Sequence, residues 1–270
     1  MSETTAVGAQ ATTPGSVRLQ IDGRVATLEL DRPAKLNALT PEMLHELARH
    51  LEEVEATASV ELVLVRGAGR RVFCVGADIG RFADLGPVEM WRAWTALRHA
   101  AFERLARLRQ PVIAVIHGDA FGGGLELAMA ADFRVVAEHA RLGMPEAGLG
   151  TVPGWGGTER LVGLVGRTRA KEVILARRVL DAATAMEWGL ANRVAPAAGL
   201  ASAVDDLSDQ LLGGAPVAVQ IAKQLIDAAA DGVPSRILEP LAGGLAAATA
   251  DLTEGVAAFR ARRSPNFEGR

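Results

Sequence analysis

Three consecutive glycines, Gly122, Gly123 and Gly124, stand between two apolar runs of strand length, Val112–Ile116 and Phe133–Ala137. The segment between them opens a helix that continues through Ala131, so the spacing predicts a strand, a tight turn, a helix and a second, parallel strand. Glycine supplies 29 of the 270 residues, a surplus that points to backbone freedom or close backbone approach somewhere in the fold.

The rest of the chain fits around that unit. Residues 1–15 are small and polar and read as a loose tail. Residues 17–21 and 25–30 alternate around Asp22-Gly23, a β-hairpin signal. Thr40-Pro41 marks an N-cap with Pro at the first helical position. Leu44, Leu47, Leu51 and Val54 follow at helical spacing, giving an amphipathic helix over Pro41–Ala56. Residues 62–66 form a buried strand that leads into a loop over 67–78. Residues 88–108 read as one long helical stretch. Beyond Gly157 the reading is helical: 158–165, 169–176, 182–188 behind an Asp181 cap, Leu200–Leu212, 217–230, 236–250 and 253–263.

Composition excludes several classes of function. Lys+Arg is 29 and Asp+Glu is 32, a net charge of −3, without the basic footprint of a general nucleic-acid binder. A single cysteine, Cys74, rules out an intramolecular disulfide and a cysteine-based zinc site and fits a reducing cytoplasm. The N-terminus has neither the basic nor the apolar segment of a signal peptide, and no apolar run is long enough to span a membrane. Gly67-Ala68-Gly69 follows a strand, but Val72 stands where a dinucleotide fingerprint needs its third glycine. Neither a P-loop nor a Gly-x-Ser-x-Gly nucleophile elbow is present, and His45 and His50 are five apart, one too many for a zinc helix.

Two backbone features and two carboxylates remain. The loop Gly76-Ala77-Asp78 and the helix start at Gly122–Gly124 could each offer a free amide to one oxygen, as an oxyanion hole requires. Tight turning and close helix–sheet packing explain the same glycines. Glu126 lies one turn into the glycine-opened helix among apolar neighbours, and Glu146 sits in the apolar loop Gly143-Met144-Pro145-Glu146-Ala147-Gly148. Burial would raise both carboxyls towards the range useful for acid–base work. A salt-bridged helix residue and a solvated loop residue account for them equally.

Four blocks in order change that balance. They are Asp31-Arg32-Pro33-Ala34-Lys35-Leu36-Asn37-Ala38-Leu39, Phe73-Cys74-Val75-Gly76-Ala77-Asp78-Ile79, the run from His117 to Ala128, and the run from Pro145 to Thr158. Arg263-Ser264-Pro265-Asn266-Phe267 closes the chain in the same manner. Together they resemble the crotonase superfamily, the enoyl-CoA hydratase/isomerase group, over nearly the whole length after the tail.

The resemblance implies an α/β fold: a crotonase-like core of ββα spiral turns over residues 16–198 and a C-terminal helical trimerisation module over 199–270, with trimers often paired into hexamers. It implies a lyase of cytoplasmic lipid or fatty-acid metabolism that adds water reversibly to 2-trans-enoyl-CoA, giving 3-hydroxyacyl-CoA. A double-bond isomerase and a non-catalytic binding homologue are the alternatives. The backbone amides of Ala77 and Gly123 correspond to the oxyanion hole, Glu126 and Glu146 to the catalytic pair, and Gly154 to the glycine that helps place water. Glu126 would take the water's proton and Glu146 would protonate the α-carbon. Lys35, Leu36, Ala38, Asp78, Ile79, Phe259 and Arg262 fall at CoA-contacting positions. Gly80 departs from a lysine found there in some members, leaving that contact absent or supplied by Arg81, and Ala261 replaces a common acidic residue. No metal or separate cofactor is implied, since CoA is part of the substrate, and no nucleic-acid or membrane partner. Phe82, Leu85, Trp91, Trp94 and Trp155 are candidates to line the acyl pocket.

Overall fold

Two sheets carry the fold. The computed structural model describes residues 15–270; the tail expected over 1–15 lies outside the described residues, Gly15 excepted. The larger sheet has six strands in the order β1 (Ser16–Asp22), β2 (Val25–Asp31), β3 (Leu62–Gly67), β5 (Val112–Ile116), β7 (Phe133–Ala137) and β10 (Arg193–Ala195). Its first pair is the hairpin expected at Asp22-Gly23, and every later pairing is parallel. The smaller sheet joins β4 (Val72–Cys74), β6 (Asp119–Phe121) and β8 (Arg141–Gly143) in parallel and adds β9 (Leu180–Asp181) antiparallel.

Helix α1 (Pro41–Ala56) forms for the reasons the sequence shows. The Thr40 side chain accepts a hydrogen bond from the Met43 amide, Pro41 sits at the first helical position, and Met43, Leu44, Leu47, Leu51 and Val54 are buried. It packs on the hairpin beside α3 (Leu97–Ala106). The long helix expected over 88–108 is three pieces: a single turn, α2 (Pro87–Glu89), a π-helical stretch at Met90–Ala96, and then α3. The π stretch carries both tryptophans, with Trp94 in the core and Trp91 65% exposed.

The turn after β2 is held by buried polar groups. Asn37 is fully buried, accepts from the Arg32 amide at 3.0 Å and donates to the Ala68 and Phe73 carbonyls at 2.9 and 3.1 Å. Arg32, also buried, pairs with Asp78 at 2.6 Å. The Arg-Pro-x-x-x-Asn block is therefore first a staple that fixes the 32–39 turn against β4 and the loop that follows it.

Helix α4 (Gly123–Met129) runs between the sheets. Helices α5 (Gly157–Val165), α6 (Arg167–Leu175) and α7 (Ala182–Glu187) follow. The Asp181 side chain caps α7 by accepting from the Thr184 amide, as expected. Four helices end the chain: α8 (Leu200–Leu212), α9 (Pro216–Ala230), α10 (Ser235–Ala247) and α11 (Ala250–Ala261). Helix α8 packs on β7 and β10. Helix α9 is pinned to the core by Lys223, whose ammonium lies 2.7 Å from Asp132 and 3.0 Å from the Gln110 carbonyl. No helix among the described residues is long and apolar enough to cross a membrane.

Candidate active site

The glycine run does what its spacing suggests. Gly122 turns the chain out of β6 with φ +51°, and Gly123 opens α4, so the Gly123 amide is at the electropositive end of that helix. Gly76, at φ +95°, brings the loop after β4 against it: a methyl group on Gly76 would stand 2.8 Å from the Gly123 nitrogen. Ala77 follows and is bridged to Leu39 through hydrogen bonds made by its neighbours, Leu39 N to Gly76 O and Asp78 N to Leu39 O. The Ala77 and Gly123 amides, 46 positions apart, thus belong to adjoining segments. Among the described residues, neither amide is engaged by a hydrogen bond.

Glu126 is one turn along α4 and only 3% exposed. One of its oxygens, Oε1, accepts from the Trp155 amide at 2.8 Å and the Gly157 amide at 2.9 Å. Gly157 is the first residue of α5, so the carboxylate also meets the positive end of that helix. A side chain on Gly157 would displace it, because a methyl there would stand 2.7 Å from Oε1. Burial raises the Glu126 pKa, and the amides of Trp155, Gly157 and Gly154 and the charge of Arg160 oppose that rise. Arg160 is itself held by the Trp155 carbonyl at 3.0 Å and Glu103 at 2.8 Å.

Glu146 opens a short 3-10 turn, Glu146–Leu149, after β8. It is 9% exposed, and its buried Oε2 has no hydrogen-bond partner among the described residues. Gly122 stands between the two acids: its carbonyl accepts from the Glu126 amide, and a methyl on it would stand 3.0 Å from Glu146 Oε1. Burial first, and then the Glu126 charge, push the Glu146 pKa up to about 7. Both acids, the two free amides and Gly154 are therefore carried by one set of adjoining turns. Thr95 of the π stretch covers Gly154, its Cγ2 lying 3.2 Å from where a side chain on Gly154 would begin.

The positions expected to meet CoA divide. Lys35, Leu36 and Ala38 lie on the Asn37-stapled turn, with Leu36 at φ +54°. The Asp78 carboxylate is already used, accepting from Arg32 and from the Gly80 amide. Ile79 is half exposed beside it. Arg81 pairs with Glu42. Phe259 on α11 is 85% exposed, and Arg262 follows that helix in a left-handed conformation. Among the described residues, no hydrogen bond, ion pair or ring contact ties either of them to the 32–39 turn.

Trp155 proves central in a way the sequence did not signal. A methyl on Gly123 would stand 2.3 Å from its ring, which packs on Trp94 at 5.8 Å and edge-on to Phe102 at 5.3 Å, while Phe82 packs on Trp94 at 5.2 Å. The amides of Trp155 and Gly157 and the brace at Arg160 carry no periodicity or motif that marks their part in holding Glu126.

Comparison with known proteins shows the family of the chain. The family model described as Enoyl-CoA hydratase/isomerase matches residues 20–270. The chain is 37% identical over 257 residues to a crotonyl-CoA hydratase of Syntrophomonas wolfei, covering 93% of this chain and 97% of that protein. It is 39% identical over 212 residues to a short-chain-enoyl-CoA hydratase of Clostridium acetobutylicum, covering 78% of this chain and 81% of the relative. The crystal structure of an enoyl-CoA hydratase from Bacillus anthracis superposes with a TM-score of 0.90 at 34% identity, over 94% of this chain and all of the other.

Proposed function

The chain belongs to the enoyl-CoA hydratase/isomerase family, and from that premise we propose that it is a hydro-lyase that adds water to a 2-enoyl-CoA, giving a 3-hydroxyacyl-CoA. The observation that carries this reading is the pair of differently tuned buried acids, Glu126 and Glu146, on either side of Gly122.

The thioester carbonyl would sit at the Ala77 and Gly123 amides. Hydrogen bonds from them strengthen as negative charge builds on that oxygen during addition, which lowers the barrier rather than merely binding substrate. Glu126 has one oxygen fixed by two amides, and its other oxygen would accept a proton from water. Burial raises its pKa, and the amides and Arg160 hold that rise back. Glu146, raised to about 7 with an unsatisfied oxygen, keeps a proton near neutrality and would deliver it to the α-carbon. Gly154, beside the Glu126 carboxylate, would help place the water. CoA would lie along Lys35, Leu36 and Ala38, with Asp78 serving the turn and Ile79 the exposed side; Phe259 and Arg262 complete the proposed CoA contacts.

The C-terminal helices would join copies of the chain, as a trimer or a pair of trimers. Ile237, Leu241 and Leu245, four apart on α10, are 52%, 70% and 58% exposed, a stripe that a second copy would cover.

Incubation with crotonyl-CoA in oxygen-labelled water tests the activity. Loss of the conjugated thioester absorbance with label in the product is the expected result. A shifted double bond without label would make the chain an isomerase, and no change would leave it a binding protein.

A further inference from the structure

The proposed hydration needs Glu126 ionised, although burial raises its pKa. One cation is placed to act on that balance. Arg160 is one turn into α5, and helical side chains lean back towards the N-terminus of their own helix. Its guanidinium therefore lies over the turn that opens α5. A methyl on Gly156 would stand 2.1 Å from Nη1, so the cation rests directly on the backbone there.

That turn is the one whose Trp155 and Gly157 amides hold Glu126 Oε1. Nη1 of Arg160 donates to the Trp155 carbonyl at 3.0 Å, and Nη2 donates to Glu103 Oε2 at 2.8 Å. Residues 155–157 are thus gripped through two amides by the carboxylate and through a carbonyl by the guanidinium. Glu103 belongs to α3, and its Oε1 is taken by Arg107. The Arg160 side chain is 15% exposed and that of Glu103 36%. The planar fork makes this bridge, because one guanidinium meets a carbonyl and a carboxylate at once.

The charges around Glu126 come from three elements. Glu146 couples to it from the turn after β8. Arg160 and Glu159 are on α5, and Glu103, Arg107 and His99 are on α3 or at its end. Burial opposes ionisation of Glu103, but the Arg107 hydrogen bond and the charges of Arg160, Arg107 and His99 outweigh it, so Glu103 is a carboxylate at neutral pH. It offsets part of the positive charge that Arg160 presents to Glu126.

We propose that Arg160 and Glu103 are positioning residues for hydration: Arg160 holds the 155–157 turn so that its amides keep Glu126 aimed, and Glu103 anchors Arg160 and tempers its charge. Neither touches substrate. The pair sets how readily Glu126 stays ionised, and so where hydration switches on as pH rises. This rests on the hydratase reading, in which Glu126 is the base.

The test is the pH profile of crotonyl-CoA hydration by the full-length protein. Arg160→Met removes both fork and charge. Its kcat should fall about ten- to a hundredfold with little change in KM, the cost of a misplaced catalytic group. The acid limb of kcat/KM should lie at higher pH than in wild type. Arg160→Lys keeps the charge without the fork, so the limb should return towards wild type while kcat stays reduced. Glu103→Gln keeps an oxygen for Nη2 and removes the counter-charge, so its limb should lie at lower pH than in wild type. Limbs that do not move, or that move the same way in Arg160→Met and Glu103→Gln, mark plain structural support and overturn the proposal. Should Arg160→Met fail to fold, the partly exposed Glu103 position decides it: a limb unmoved or raised in Glu103→Gln overturns the proposal.

A readout without turnover separates this from the hydratase reading. The infrared carboxyl band that is missing in Glu126→Gln reports the protonation of Glu126 directly. It should persist to higher pH in Arg160→Met and vanish at lower pH in Glu103→Gln. If crotonyl-CoA is not hydrated but the band moves in this way, the hydratase reading falls and the pair stands as the device that holds Glu126 ionised. If hydration is present and neither limb nor band moves, Arg160 and Glu103 only tie α3 to α5, and the proposal falls alone.

Discussion

Helices α4 and α10 are both built from glycine, alanine and leucine, and they are used in opposite ways. All seven residues of α4 are buried, with sheets and loops of the same chain on every side. None of the thirteen residues of α10 is buried. Its Leu238, Ala242 and Ala246 are half-covered, while Ile237, Leu241 and Leu245 face outward. Composition alone does not separate the two cases. In α4 the glycines admit neighbouring backbone, and the one acid, Glu126, is satisfied by amides from another helix start. In α10 the apolar stripe is left uncovered by the described residues, and the proposed assembly would bury it. Helix α4 is buried within its own chain, and α10 is not.

The largest effects should come from the α4 side. Glu126→Gln and Glu146→Gln should each lower kcat for crotonyl-CoA by about 10³-fold, within the range general acid–base groups supply, while the oligomer persists in sedimentation. Glu146 carries a further signature. Its folded-state pKa of about 7 lies above the ordinary 4.5, so the folded protein holds that proton more tightly than the unfolded chain. Stability from this group is therefore greatest below about 4.5 and is lost as pH rises towards 7. Glu146→Gln, neutral throughout, should melt higher than wild type at pH 8 and alike at pH 4. The hydration rate should fall above pH 7 as the acid loses its proton. A rate flat to pH 9 would remove Glu146 from that role.

Gly124→Ala attacks the same side through packing. The added methyl would stand 2.2 Å from the Cys74 carbonyl oxygen, a backbone atom that cannot swing aside. A loss of about 1–3 kcal/mol in denaturant unfolding is expected, as for other overpacked cores. A neutral result would mean that α4 is less confined than its burial indicates. Next in size, Leu241→Glu should split the assembly into smaller species in sedimentation and leave the fold of each chain intact by circular dichroism. A wild-type protein that is monomeric at micromolar concentration would break the comparison on the α10 side.

How much of this was readable in the sequence follows from length and period. The hairpin around Asp22-Gly23 and helix α1 have turn chemistry and periodicity that agree, and both form as expected. Strands β4, β6 and β8 are three residues each, too short to show alternation, and they lie where the sequence reads as loop or as an approach to a helix. The π stretch at Met90–Ala96 shifts the face of its helix, which is why Trp91 and Trp94 part company. Glu126 and Glu146 were visible as acids among apolar neighbours, but their difference was not. It arises from the amides of Trp155 and Gly157, which reach Glu126 from about thirty positions away and leave Glu146 Oε2 bare.

The smallest expected effect is also the cleanest contrast to Gly124→Ala. Gly243 lies in α10 with nothing of its own chain within 4 Å of an added methyl, and it faces away from the Ile237, Leu241 and Leu245 stripe by helical spacing. Glycine inside a helix costs about 0.5–1 kcal/mol relative to alanine, because the unfolded chain has more freedom to lose. Gly243→Ala should therefore raise stability by up to that amount and leave the sedimentation pattern unchanged. One methyl would then destabilise α4 and stabilise α10, with the sign set by whether the space around the glycine is already filled. A Gly243→Ala variant that assembles poorly would mean that this face of α10, and not only the apolar stripe, is covered by another copy.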